Sequence, residues 1–462
     1  MASGEREILI SPTTRVEGAT RVRIMLDEFG EVSEAHLEVT SLRGFERFLV
    51  GAAVEEAPII CNRICGICAV SHHLASVKAV EDALGIEPPE TATRLRRLLH
   101  LGQIIQSHAA SFFFLTLPDF IYTEDSTRKP RSAFDIYKTD PETIRKAIEL
   151  REIGTEISTV LGRRHIQPIA AVPGGMLNSL DDHERQRLLI RAKRGLELSK
   201  EALSLGQSLF EKHEDYIRSA KIFPANNMAL QGEDCLEFYD GDISITDPEG
   251  ERLASFAPRE FRKNISEASF EWTLARFPYY KPLGWPAGIL RVNSLARINM
   301  CKDLDTDEAK RAVNEFRSKW GYPTHNSLLF DYARLIELVH VSERIIQLLE
   351  DETITQKNVR IPLTAKAGKG AGSVEAPRGT LVHSYEVDEN AKLTYVDIVV
   401  PTESNNAAIN MAIKDVARMC ISNGRIRPDL YQRVETTVRA FDPCISCAHH
   451  TIEIVRMGRE RH

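Results

Sequence analysis

Two stretches near opposite ends of the chain decide how the rest must fold: Arg63-Ile64-Cys65-Gly66-Ile67-Cys68-Ala69-Val70-Ser71-His72 and Asp442-Pro443-Cys444-Ile445-Ser446-Cys447-Ala448-His449-His450. Each contains C-x-x-C, which puts two thiols on one tight turn. Four thiolates brought together make a soft donor set suited to nickel, iron, zinc or an iron–sulfur cluster. A zinc ribbon places its second pair about 15–20 residues after the first. Here the second pair lies near the other end of the chain. That spacing suits a site assembled where two ends of a large fold meet, so residues 1–462 are expected to form a single unit whose N- and C-terminal segments converge.

Bulk properties narrow the class. The chain has 462 residues, 43% hydrophobic and 27% charged, which is globular composition with length for a large core. The net charge is −7, and no basic stripe suggests a nucleic-acid partner. Met1–Ile10 lacks the apolar run of a signal peptide, and no uninterrupted apolar stretch reaches the length of a membrane span. A cytoplasmic protein is expected, its eight cysteines serving as metal ligands or buried thiols rather than disulfides.

Working outward from the cysteine turns, residues 5–40 alternate as strands (Ile8, Ile10; Val22, Ile24, Leu26; Val32, Ala35, Leu37, Val39) around a turn at Asp27-Glu28-Phe29-Gly30. Helical periodicity follows over 72–84, 91–117, where Pro118 is expected to stop the helix, 141–161 and 181–220. Residues 228–300 read as irregular structure with some strands. Helices are expected over 305–320, 326–350, 405–420 and 428–441, and a hairpin over 372–400, its strands at 379–387 and 393–400 and its turn at Asp388-Glu389-Asn390. The fold class is therefore α+β, mainly α: a large helix-bundle core with small antiparallel sheets.

The flanking residues carry more. R-x-C-G-x-C-x-x-x-H at the first pair, D-P-C-x-x-C-x-x-H at the second and R-x-E-G at Arg15–Gly18 together resemble the large subunit of nickel–iron hydrogenases. Glu375-Ala376-Pro377-Arg378-Gly379, Pro401-Thr402 with Asn405-Asn406, His165 with Pro173-Gly174-Gly175, Phe277-Pro278-Tyr279 and Leu295-Ala296-Arg297 extend the resemblance over nearly the whole chain. It differs at Ala19, where the family often has histidine, and in Val292-Asn293-Ser294 before Leu295.

The resemblance implies the hydrogenase large-subunit fold and a heterolytic, reversible oxidation of molecular hydrogen to protons and electrons. All four cysteines would bind a nickel–iron centre whose iron carries carbon monoxide and cyanide. Cys65 and Cys444 would be terminal on nickel, and Cys68 and Cys447 would bridge to iron. Cys444 would act as the base. Arg378 would stand over the open metal face, with Pro401 and Thr402 helping to hold the diatomic ligands. Glu17 would be the first proton relay, expected to be buried. Glu46 and His450 match positions that hold a separate magnesium or iron ion near the C-terminus. His72 would orient the first cysteine turn, and His165 reads as either a core histidine or a site residue. Cys61, Cys235, Cys301 and Cys420 read as buried thiols.

The chain has no further cysteine set for a cluster and no dinucleotide fingerprint, so electrons must leave through a partner. The resemblance implies a small subunit that carries the iron–sulfur clusters, and further electron-transfer subunits of flavin or heterodisulfide reductase type. The wording of residues 43–58 is most similar to cytoplasmic multimeric hydrogenases of the viologen-reducing type, with a heterodisulfide reductase or ferredoxin system as acceptor. Deazaflavin- or nicotinamide-reducing enzymes are the alternative. In the family a maturation protease removes a C-terminal extension after nickel chaperones have loaded the metal. Thr451–His462 is such an extension or a retained segment, with Ile452 and Ile454 allowing a strand. Two other readings stand beside this one. A structural four-thiolate zinc protein would need only the cysteines, and a non-catalytic relative would lack the complete cysteine set.

Overall fold

The computed structural model describes residues 6–122, 131–220, 223–232 and 236–448. The N-terminal alternation forms a three-stranded antiparallel meander of β1 (Arg6–Ile10), β2 (Thr20–Leu26) and β3 (Val32–Val39), with the turn where Asp27 caps Phe29 and Glu31. After the first cysteine turn the chain enters α1 (Ala69–Leu84), which ends where Gly85 takes the left-handed conformation.

The bundle core consists of α2 (Glu90–Ala110), α3 (Pro141–Gly162), α4 (Asp182–Lys212) and α7 (Phe330–Glu350), packed on one another. Their starts follow capping chemistry. Asp140 accepts from Thr143 N at 3.1 Å ahead of Pro141, and Asp181 accepts from Glu184 N at 2.8 Å. The helical run Glu90–Ile121 is long and apolar enough to cross a membrane, but 72% of that window is buried inside the protein. It is a bundle helix, as expected from its sequence.

Pro118 does not stop this run. The ladder widens to a π-helix over Ser111–Thr116 and resumes as α-helix over Leu117–Ile121. Pro118 falls in the first turn of the resumed helix, where its missing N–H costs little. The helix expected over 181–220 breaks at His213 into α4 and a short helix, Glu214–Ser219.

The segment read as irregular is more ordered than its turns suggested. Strands β4 (Asn226–Gln231), β5 (Asp242–Thr246) and β6 (Arg252–Phe256) form a four-stranded sheet completed by Leu290–Arg291, which pairs parallel to β4. Helices α5 (Ser294–Met300) and α6 (Asp307–Trp320) lead back to α7.

The C-terminal hairpin has a third strand. β7 (Gly368–Ala376), β8 (Gly379–Val387) and β9 (Leu393–Val399) form an antiparallel sheet. Gly368-Lys369-Gly370-Ala371-Gly372 looks like a loop in sequence, yet it is a strand pressed onto α1. A Cβ on Gly370 would lie 2.1 Å from Ala83 N, and one on Gly372 would lie 2.3 Å from Ala75 O. The strand that leads into Arg378 is thereby seated against the helix that follows the first cysteine pair. α8 (Pro401–Cys420) begins four residues earlier than expected, with Pro401 in its first turn, and α9 (Leu430–Ala440) delivers the chain to the second cysteine turn. One hydrophobic cluster runs from Ile10 through the bundle to Ala448 and includes all four motif cysteines.

Candidate metal centre

The two cysteine turns meet. Cys65 Sγ lies 3.2 Å from Cys444 Sγ, Cys68 Sγ lies 3.4 Å from Cys447 Sγ, and Cys444 and Cys447 are 3.0 Å apart. All four sulfurs lie within 4.8 Å of one another and all are buried. The first turn is shaped by Ile67 N and Cys68 N, which both donate to Cys65 Sγ at 3.3 Å. The second is held by the N-terminal segment. Ile445 N donates to Glu17 O at 3.1 Å, and Glu17 pairs with Cys444 as a single parallel bridge. Gly18 is required there: its φ is +86°, and a Cβ would lie 2.7 Å from Ile445 Cβ.

The electrostatics call for a cation. Hydrogen bonds from Cys444, Cys447 and Cys68, aided by the Arg378 charge, hold the Cys65 thiol well below its usual range. Burial and the neighbouring sulfurs push the Cys447 thiol well above it. Cys444 is pushed well above it as well and Cys68 is raised, so Cys65 alone is held toward the thiolate, and a soft metal would supply the positive charge that lets the other three ionise. The donor set therefore fits a soft transition metal.

Arg378 is the built-in cation. It occupies the turn between β7 and β8, donates through Nε to Asp442 O at 2.7 Å and through Nη2 to Asp442 Oδ1 at 3.0 Å, and reaches Ser107 Oγ at 3.4 Å. Burial pulls its pKa down, but Asp442 and the thiolates of Cys444, Cys68 and Cys65 more than offset this, so it stays charged. The turn is braced by fully buried Arg297, which binds Glu337, Glu375 and the carbonyls of Ala376 and Pro377.

Beside the sulfurs is a small cavity lined by Cys68, Cys444, Cys447, His72, Arg378, Pro401, Thr402, Ala376 and Leu381. Cys65 does not line it. Thr402 Oγ1 accepts from Cys444 N at 3.0 Å, which leaves its own proton available for a ligand in the cavity. Pro401 and Thr402 sit at the start of α8 rather than in a loop, so this wall is the N-terminal turn of a 20-residue helix.

The other expected residues fare differently. Glu17 is half-buried rather than buried; it accepts from Ser446 N at 3.0 Å and from Ser446 Oγ at 2.6 Å. Ser446 Oγ is in turn 3.7 Å from Cys444 Sγ. Glu46 pairs with Arg43 and leaves Oε2 buried without a partner. Its expected co-ligand His450 lies outside the described residues, as do Cys235 and the tail after Ala448. His165 is exposed and bonded to Thr159 Oγ1 at 3.0 Å, so it is not a core residue, and it does not line the cavity beside the sulfurs. His72 does reach the site, with Nε2 3.5 Å from Cys447 Sγ. Cys61, Cys301 and Cys420 are buried free thiols, as expected.

Four residues at or behind the site were missed in the sequence: Asp442, Ser446, His383 and Tyr385. Asp442 was visible as the residue before Pro443-Cys444. Ser446 fills a variable position of C-x-x-C, and nothing in the pattern marks it. His383 and Tyr385 alternate on β8 after Arg378, a spacing that shows they share a face but not what they face.

Comparisons with known proteins agree with this geometry. Residues 43–161 and 237–450 match the nickel-dependent hydrogenase family, and residues 7–42 match a HoxL-like family. The chain is 39% identical over 453 residues to a subunit of the F420-non-reducing hydrogenase of Methanothermobacter thermautotrophicus, covering 97% of this chain and 95% of that protein. It is 34% identical to the NAD-reducing hydrogenase HoxS subunit beta of Cupriavidus necator, covering 97% and 95%. Among solved structures, it is similar to an NAD⁺-reducing [NiFe]-hydrogenase in the H2-reduced state, with TM-score 0.92, 37% identity, and coverage of 96% of this chain and 99% of that one.

Proposed function

From its membership of the nickel-dependent hydrogenase family, in which it is the large subunit of an oxidoreductase acting on hydrogen, we propose that this chain divides the work of hydrogen oxidation among named residues. The observation that carries the reading is the convergence of four buried sulfurs, Arg378 and Thr402 on one cavity. When bound there, a nickel–iron group supplies the chemistry that cleaves hydrogen heterolytically and accepts its electrons. Cys65 and Cys444 would hold the nickel alone, and Cys68 and Cys447 would hold it together with the iron. Three of the four sulfurs, those of Cys68, Cys444 and Cys447, face the cavity, which leaves it room for the diatomic ligands. Arg378, with Pro401 and Thr402, holds the carbon monoxide and cyanide ligands: the guanidinium and the free Thr402 proton are the donors that cyanide nitrogen needs.

Cys444 takes the proton of hydrogen. Ser446 Oγ lies between Cys444 Sγ and Glu17 Oε1, so a thiol proton passes to the serine oxygen as the serine proton passes to the carboxylate. Glu17, half-exposed beside exposed Gly18 and Ala19, releases it outward. In the metal-loaded enzyme, Glu17→Gln is expected to lower hydrogen–deuterium exchange about 10²–10⁴-fold with nickel and iron retained. Exchange at the wild-type rate refutes the relay.

A small-subunit partner belongs to this arrangement, and we assign it the iron–sulfur clusters. Leu42, Phe48, Val50 and Ile59 are exposed on the segment leading into the first cysteine turn, and they form the apolar docking surface. The buried, unpartnered Oε2 of Glu46 supports its role, with His450, as a ligand of a magnesium or iron ion. The chain acts as one unit in the cytoplasm, loaded by nickel chaperones and processed by a protease. Its electrons pass to a viologen-reducing, heterodisulfide reductase or ferredoxin system. Similarity to an NAD-reducing hydrogenase supports a nicotinamide-linked acceptor as the second reading.

A further inference from the structure

Behind Cys447 runs a buried chain of polar groups that the proton exit does not use. Cys447 Sγ lies 3.5 Å from His72 Nε2, His72 Nδ1 lies 3.1 Å from His383 Nε2, and His383 Nδ1 lies 2.7 Å from the Tyr385 hydroxyl. That hydroxyl is also 2.9 Å from Ser76 Oγ and 3.3 Å from Cys61 Sγ. Every member is 2% exposed or less. His383 and Tyr385 share one face of β8, and His72 and Ser76 are one turn apart on α1, so backbone register fixes the chain.

Neither imidazole meets a carboxylate among these partners, so each ring is taken as neutral with one N–H. Two neutral imidazoles between a sulfur and a hydroxyl have two consistent hydrogen-bond orders. In one, Tyr385 donates to Ser76, His383 Nδ1–H to Tyr385 and His72 Nδ1–H to His383, which leaves a bare His72 Nε2 facing sulfur. In the other, Tyr385 donates to His383 Nδ1, His383 Nε2–H to His72 Nδ1, and His72 Nε2–H to sulfur. The first suits a thiol, which can donate. A thiolate ligand only accepts, so it selects the second. Burial pushes the Cys61 thiol up to about 11, so it keeps a proton to offer the Tyr385 oxygen.

We propose that His383 and Tyr385 are positioning residues that fix the His72 tautomer and hold its Nε2–H on the Cys447 sulfur. The inference rests on Cys447 being a thiolate ligand of the nickel–iron group. An N–H···S bond withdraws electron density from a bridging sulfur, and the chain behind His72 sets its strength.

The test combines three measurements on the metal-loaded enzyme. Nitrogen-15 NMR with labelled histidine is expected to find the His72 proton on Nε2; finding it on Nδ1 overturns the proposal, and this needs no variant. Tyr385→Phe and His383→Leu are expected to move the iron-bound carbon monoxide stretch to lower wavenumber with nickel and iron content unchanged. His383→Gln, which keeps an N–H for His72, is expected to move it back toward wild type. An unmoved band in both metal-loaded variants overturns the proposal. Wild-type protein without nickel and iron would instead defeat the metal assignment itself, so the two failures are distinguishable.

Discussion

Arg378 shows how a single side chain shapes the site. It grips Asp442 through two donors and spends a third near Ser107, so its charge faces the sulfurs in one orientation. Lysine keeps the charge but has no planar fork for the Asp442 grip. Arg378→Lys is therefore expected to lower hydrogen oxidation about 10²-fold with the metals retained, as measured by activity per nickel. Full activity would show that the fork is dispensable. Glycines of the same motifs differ in what they tolerate. Gly66, inside C-x-x-C, has no atom within 4 Å of an added Cβ and no positive φ, so Gly66→Ala is expected to leave the melting temperature unchanged. Gly372→Ala drives a Cβ to 2.3 Å from Ala75 O and is expected to cost about 1–3 kcal/mol, read by thermal unfolding.

At the scale of elements, the centre is a junction of four pieces: the first cysteine turn ahead of α1, the turn between β7 and β8, the start of α8, and the second cysteine turn after α9. The cysteine turns and the EAPRG turn were legible because chemistry confines the residue types there. β7 was not, because its glycines carry no apolar alternation; they exist for the close approach to α1. The start of α8 was missed because Pro401 reads as a helix breaker in sequence but is at home in a first turn. Pro118 misled for the same reason. The Ser446 link also belongs to this scale, since it exists only because the N-terminal segment lies beside the C-terminal turn. Ser446→Ala is expected to slow hydrogen–deuterium exchange while leaving the metals and the Glu17 backbone bond to Ile445 in place. Exchange as fast as wild type would show direct transfer from Cys444 to Glu17.

Across the whole molecule, burial of histidine sets the response to acid. Burial lowers His73 to about 4, His100 to about 3 and His340 to about 4, all from near 6.5. The unfolded chain binds these protons at higher pH than the folded one, so their contribution is fully present above pH 6.5. It is lost as pH falls from there toward 3–4, on the order of 1 kcal/mol per histidine per pH unit. Denaturant midpoints are expected to fall between pH 7 and 5.5, and an unchanged midpoint would contradict the sign. The same burial gathers four sulfurs and one guanidinium into a donor set that fits a nickel–iron group, and that is the central claim. Elemental analysis together with infrared spectroscopy of the purified protein tests it most directly. The account predicts nickel with at least one iron per nickel and stretches from iron-bound carbon monoxide and cyanide; zinc as the only metal, with no such bands, would contradict it.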